Sequence, residues 1–160
     1  MNKLIVSTCL LAGFILSASP IARGADKGED IIAASGIKGG LVVHLGCGDG
    51  RLTAGLKAGG QYLVHALDSD PANVTKARDY LASKGVYGGV SVMQLVGEKL
   101  PYADNLVNLI VIDKGTKVSD KEIMRVLCPL GVAYVKAGDK WSKTVKPWPE
   151  GMDQWTHYLH

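Results

Sequence analysis

Apolar residues in this chain fall into short runs that switch between two periods. Residues 41–45 form a β-branched apolar run that gives way to glycines at 46, 48 and 50. Residues 62–67 form a second run that stops on Asp68. Residues 90–96 alternate, and 106–112 and 132–136 are apolar again. Runs of this length bounded by turn residues predict buried strands. Between them the spacing becomes helical. Residues 27–35 place Ile31 and Ile32 on one face and meet Gly36, which suits a left-handed cap. A second helix opens at Asp49 or Gly50 and closes at Gly59-Gly60. Asp70 caps a third, with Pro71 in its first position. Val74, Ala77, Tyr80 and Leu81 form the stripe of that helix, and Gly85 ends it. Ser119-Asp120-Lys121-Glu122 has capping-box spacing and opens a helix to about residue 127. This alternation predicts an α/β fold: a five-stranded parallel sheet in order 3-2-1-4-5, helices on its faces, right-handed crossovers. Residues 42–45 should be central and buried on both sides.

The two ends change the picture. Met1-Asn2-Lys3 is a short basic start, residues 4–16 are apolar without charge, and Pro20 interrupts the run. Ala22-Arg23-Gly24 supplies small residues at −3 and −1 of a cleavage site. Residues 1–24 therefore read as a secretory signal peptide, too short in its apolar core for a stable membrane span. Export to the periplasm or medium follows as an expectation. At the other end all three tryptophans (141, 148, 155) share the last twenty residues with Pro147, Pro149, His157 and His160. Prolines forbid continuous helix there. Residues 138–160 are expected to be an extended arm or linker outside the sheet, leaving 25–137 as the α/β domain.

Composition adds little beyond exclusion. The formal charge is +3, and residues 1–24 hold Lys3 and Arg23 but no acid, so the remainder is about +1. That leaves no strong electrostatic case for nucleic acid. Cys47 follows one strand and Cys128 precedes another, so a parallel sheet sets them at opposite ends, beyond disulfide reach.

The candidate chemistry begins at Val42-Val43-His44-Leu45-Gly46-Cys47-Gly48-Asp49-Gly50. Strand, glycine turn and helix bring bare backbone to a ligand. The glycines are not a dinucleotide fingerprint, which needs G-x-G-x-x-G; position 51 is Arg. The run resembles motif I of the class I S-adenosylmethionine (SAM) methyltransferases. Asp68-Ser69-Asp70-Pro71, Leu100-Pro101-Tyr102-Ala103-Asp104-Asn105 and Glu122-Ile123-Met124-Arg125-Val126-Leu127-Cys128-Pro129 are similar to later segments of that family, in order. The resemblance spans about residues 41–135. It implies a Rossmann-like three-layer sandwich, here without the usual sixth and seventh strands, and SAM as cofactor. It implies cofactor contacts at His44, Gly46, Cys47, Gly48, Gly50, Asp68, Ser69, Val96 and Asp113. Gly46, Gly48 and Gly50 would take the methionine side and Asp68 the ribose. His44 stands where the family carries an acid, Val96 where it often carries Asp, and Asn108 where its fourth strand usually has Asp.

Each residue also has a plainer reading. The glycines would serve strand-to-helix packing, Asp68 would cap the turn before Pro71, His44 would be a hydrogen-bonded loop residue, and Asp113 a loop acid. His65 would be a satisfied core or edge residue. His157 and His160 lack Cys or carboxylate partners at metal-ligand spacing. Two functions follow. One is an exported SAM-dependent methyltransferase-fold domain with weak or degenerate SAM binding. The other is a non-catalytic module. Lys143-Thr144-Val145-Lys146-Pro147 and Trp155-Thr156-His157-Tyr158-Leu159-His160 resemble the junction in secreted bacterial proteins whose methyltransferase-like domain precedes a pyrroloquinoline-quinone (PQQ)-like β-propeller. That likeness implies docking on such a propeller through residues 138–160.

Overall fold

The computed structural model describes residues 24–150 apart from 58, 115 and 139. The expected signal peptide, except Gly24, and Trp155, His157 and His160 lie outside the described residues. The elements run α1 (Gly24–Ser35), β1 (Gly40–Leu45), α2 (Arg51–Gly55), β2 (Tyr62–Asp68), α3 (Pro71–Ser83), β3 (Val90–Gln94), β4 (Val107–Ile112), α4 (Asp120–Val126), β5 (Leu127–Ala137) and β6 (Lys140–Val145). Among the described residues no helix is long and apolar enough to cross a membrane.

The sheet has six strands in order β3-β2-β1-β4-β5-β6. The first five are parallel, in the expected order. β1 lies in the middle, with Val42, Val43 and His44 fully buried. Strand residues alternate faces, and each face owns a core. Val42, Val64, Ala66, Leu109 and Val111 pack under α1–α3. Val43, Leu45, Leu67, Ile110 and Ile112 pack under α4 and the 95–106 loop.

Local chemistry accounts for the helix ends. Asp70 accepts a hydrogen bond from Ala72 N at 2.8 Å and caps α3. Ser119 caps α4 through Glu122 N, but only this half of the capping box forms. The Glu122 carboxylate instead accepts from Leu100 N at 2.8 Å and binds Arg125 at 2.7 and 2.8 Å. Arg125 also donates to Tyr102 O at 3.0 Å and pairs with Asp104. The 95–106 loop is thereby fastened to α4. α2 is shorter than its sequence suggests, ending at Gly55 rather than Gly59-Gly60.

The sixth strand corrects two expectations: the sheet is not five-stranded, and residues 138–160 are not wholly an arm. β6 pairs antiparallel with β5 from Ala137↔Lys140 to Val132↔Val145. The prolines that argue against a strand, Pro147 and Pro149, lie beyond its end. The connection opens on Gly138 at φ +62°, as a two-residue hairpin requires. Trp141 stacks on Tyr134 with ring centroids 5.1 Å apart and planes 24° off parallel. Two lysines, one on β6 and one just past its end, tie it to both helical layers. Lys143 Nζ donates to Ala34 O at 3.2 Å and Ser35 O at 2.7 Å, the last carbonyls of α1. Lys146 Nζ, just past the strand, donates to Met124 O and Leu127 O at 2.7 Å and Asn105 Oδ1 at 2.6 Å. Ammonium groups at helix C-termini satisfy free carbonyls and oppose the helix dipole.

Candidate functional site

The site lies where β1, β2 and β4 end, the edge at which open parallel sheets hold ligands. Gly46, Gly48 and Gly50 all have positive φ, at +78°, +55° and +79°. Their surroundings divide them. A Cβ on Gly48 would meet only the flexible end of Lys114, with Nζ 2.7 Å away. One on Gly50 would press on Ala77 of α3, with Cα 3.0 Å and O 3.2 Å away. Gly46 and Gly48 thus keep the cleft floor bare, while Gly50 serves helix packing.

Four of the loop amides, those of residues 46, 47, 48 and 50, are already used. Gly46 N and Cys47 N donate to Leu67 O at 2.8 and 3.4 Å, and Gly50 N donates to Cys47 O at 2.9 Å. Gly48 N donates to Asp68 Oδ2 at 2.9 Å. This differs from a phosphate-binding loop, whose amides point at the anion.

Asp68 is 6% exposed. Besides Gly48 N, its carboxylate accepts from Asp70 N at 2.9 Å and makes longer contacts of 3.3 Å with Asn73 Nδ2. It therefore caps the turn before Pro71 and also lines a cavity of about 440 Å³ with Ser69, Gly46, Leu95, Gly97 and Lys114. Val96 is 83% exposed and outside that lining, although its two neighbours belong to it. Cys47 contributes only backbone. Its side chain is buried in the core, and burial, with the Asp68 charge adding to it, pushes its thiol up to about 12.

His44 is a fully buried strand residue rather than a loop residue. Nδ1 lies 2.8 Å from Thr53 Oγ1 on α2, and Nε2 lies 3.1 Å from Asp113 Oδ1 just past β4. Burial alone would raise the Asp113 carboxyl; the hydrogen bond and attraction from His44, with Lys114 nearby, outweigh it and hold the group below its ordinary value. The Asp113 side chain is 23% exposed. It opens not onto the Asp68 cavity but onto a second one of about 660 Å³, shared with Asp49, Ile31, Leu52, Tyr134 and Trp141. The glycine loop separates the two.

Asn108 is not at the ligand edge. It sits near the start of β4, accepts from Leu41 N at 2.9 Å and reaches Cys128 Sγ at 3.4 Å. His65 is an internal partner of the Tyr102 hydroxyl at 2.8 Å. Cys47 and Cys128 are both free thiols. Among the described residues no His, Cys, Asp and Glu group could hold a metal. Sequence reasoning missed Thr53, Asn73 and Lys114. The Thr53–His44–Asp113 alignment had a signal: His44 has the parity of Val42, and Asp113 that of Leu109 and Val111, so all share the α2 face.

Comparison with known proteins agrees with this fold. Residues 42–131 match the Methyltransferase domain family. The ubiquinone/menaquinone biosynthesis C-methyltransferase UbiE of Idiomarina loihiensis is 34% identical over 109 residues, covering 62% of this chain and 43% of that protein. The chain thus spans less than half the length of the curated relatives it matches. A structure from Methanococcus maripaludis described as an S-adenosyl-L-methionine-dependent methyltransferase superposes with TM-score 0.62 and 26% identity, covering 68% of this chain and 52% of that one. A SAM-dependent methyltransferase from Aquifex aeolicus gives 0.60 and 24%, covering 71% and 67%. The chain has a Rossmann-like SAM-dependent methyltransferase fold and belongs to the methyltransferase domain family.

Proposed function

We propose that this chain is a SAM-binding methyltransferase domain whose affinity for the cofactor is low. The observation that carries this reading is the glycine loop. Its backbone is bare toward the cleft at Gly46 and Gly48, yet the amides of both glycines, with those of Cys47 and Gly50, are spent within the protein. Such a floor fits a phosphate-free nucleoside better than a nucleotide. Asp68, by exchanging its long Asn73 contacts, would accept hydrogen bonds from a ribose; Ser69 lines the same side, and Asp113 stands beyond the loop. Bound SAM would supply an electrophilic methyl group on a sulfonium. Transfer from it needs chiefly in-line positioning of the acceptor, and no side chain here has to act as a base.

Weak binding follows from three features. Val96 offers no contact, Lys114 lies over the loop, and Asp68 must give up existing partners. Contacts of these kinds are worth about 1–3 kcal/mol each, so a dissociation constant above roughly 100 μM is expected. Titration calorimetry of the full chain with SAM, with ATP and NAD as controls, tests this. SAM alone should bind. Binding of the phosphate-bearing compounds but not SAM would overturn the reading, and low-micromolar SAM binding would overturn its weakness.

Residues 1–24 support export, which a cleaved N-terminus in the periplasm or medium would test. Domain boundaries are proposed at 25–145, since β6 completes the sheet. A second, non-catalytic reading keeps the docking idea for residues past β6. Pro147, Trp148 and Pro149 border a groove against Met124, next to the segment that resembles a propeller junction. Co-purification with a PQQ-like β-propeller, lost on Trp148→Ala, would favour it.

A further inference from the structure

We infer that the outer wall of the larger cavity takes the methyl acceptor, and that this acceptor is an aromatic monoanion such as an aryl carboxylate. Its ring would lie on the Tyr134–Trp141 pair and its charge between Lys27 and Lys136. The acceptor role rests on the methyltransferase reading, whereas the chemical class rests on the cavity wall. The glycine loop divides the ligand edge in two, and under that reading the cavity at Asp68 takes the nucleoside. The 660 Å³ cavity beyond the loop has walls of two origins. Asp49, Leu52 and Asp113 belong to the stretch that matches the family, residues 42–131. Lys27 on α1, Tyr134 and Lys136 on β5 and Trp141 on β6 lie outside it. Acceptor choice is the property that varies on a shared fold, and residues outside the shared stretch are placed to set it.

The wall has a flat part and a charged part. Tyr134 and Trp141 stack with centroids 5.1 Å apart and planes 24° off parallel, a surface that suits a planar ring in offset contact. Lys136 is the direct cross-strand partner of Trp141, so ammonium and indole share one face of the sheet. Six charged side chains line the cavity. Asp49 and Arg51 neutralise each other at 3.1 Å. Asp113 turns back to His44 at 3.1 Å and is a cofactor contact under the SAM reading. Lys27, Lys136 and Asp30 remain, with no ion pair among the described residues. Two ammonium groups against one carboxylate leave room for a single negative charge. In the transfer, an oxygen or carbon nucleophile of the acceptor bonds the methyl carbon as the carbon–sulfur bond breaks. The electron pair stays on sulfur, and any proton the acceptor loses passes to solvent.

The test titrates four probes against the full chain by ligand-observed NMR, without SAM: 2-naphthoate, 2-naphthalenemethanol, 2-naphthylmethylammonium and cyclohexanecarboxylate. Naphthoate should bind most tightly. Lys27→Gln combined with Lys136→Gln changes two exposed side chains, so circular dichroism should be unaltered. That variant should lose about 5- to 20-fold in naphthoate affinity and nothing for the alcohol. Trp141→Leu should weaken both naphthalene probes by about 3- to 10-fold, and Trp141→Phe should recover most of the loss. Binding of the ammonium probe as tight as naphthoate, or an equal loss of acid and alcohol in the lysine variant, would overturn the charge assignment. Equal binding of cyclohexanecarboxylate would overturn the aromatic wall, and no binding by any probe would overturn the site. SAM is then added to the naphthoate sample, where both should bind together. Displacement of naphthoate by SAM would overturn the acceptor role alone; absence of SAM binding would overturn that role together with the SAM reading.

Discussion

Gly48 and Gly50 look equivalent in sequence, yet alanine should affect them differently. Both have positive φ, at +55° and +79°, and an L-residue in that region costs about 1–2 kcal/mol. Gly50→Ala adds a clash. Its new Cβ would lie 3.0–3.2 Å from Ala77 Cα, Cβ and O. Two of these are backbone atoms in the middle of α3, a helix capped at Asp70 and packed on the core through Val74, Ala77 and Leu81. Overpacking of that kind costs about 1–3 kcal/mol, so the Gly50 variant should lose about 2–5 kcal/mol in all. At Gly48 the obstacle is Lys114 Nζ, the end of an exposed side chain that swings away, leaving the backbone cost of about 1–2 kcal/mol. Equilibrium urea unfolding followed by far-UV circular dichroism measures both, with the urea dependence expected to stay constant. Equal losses, or a larger loss at Gly48, would refute the division of the loop into a ligand half and a packing half.

Four further outcomes are expected. His44→Asp, which restores the family-like acid, should destabilise the fold by about 3–5 kcal/mol, because it breaks a buried pair and faces Asp113 with a like charge; wild-type stability in urea would contradict this. Glu122 is held down near about 2 by its Arg125 hydrogen bonds, against an ordinary value of 4.5. Its contribution is therefore complete above about pH 4.5 and fades as the pH falls through about 2, and Glu122→Gln should flatten the acid limb of a thermal-stability profile. Cys47, left as the sole thiol by Cys9→Ser and Cys128→Ser, should react with Ellman's reagent at pH 8 only after denaturation, since burial keeps it protonated. Lys146→Met should cost about 1–2 kcal/mol in urea unfolding, because α4 loses the ammonium on its terminal carbonyls.

Most of the frame was legible because burial writes itself into periodicity. Residues 42–45 read as central, and the order 3-2-1-4-5 follows from alternating strands and helices joined by right-handed crossovers. Caps at Asp70 and Ser119 were visible for the same local reason. β6 was missed because two prolines drew attention from a hairpin signal upstream: Gly138-Asp139 between two alternating segments. The glycines and Asp68 announced a ligand edge by position. What each does there depends on non-local neighbours. Gly50 packs against α3, 27 residues on at Ala77, and Lys114 reaches the glycine loop from the segment after β4. His44 was read through its place in a motif, whereas its role comes from Thr53 and Asp113, brought together by side-chain parity across β1, β4 and α2.

The antiparallel sixth strand also bears on solubility. Without it, β5 would end the sheet with eleven residues of open backbone, from Leu127 to Ala137, many of them apolar. Unpaired edges of that length invite a second copy to add a strand. β6 replaces that edge with a shorter one bearing Lys140 and Lys143, with Lys146 just past it. Two of these ammonium groups are anchored to helix carbonyls, so peeling the strand away would expose hydrogen-bonding groups in both layers at once. The hairpin thus acts as a guard against self-association, and a chain cut at Ala137 would be expected to oligomerise through its newly bared edge even where its nucleoside cleft stayed intact.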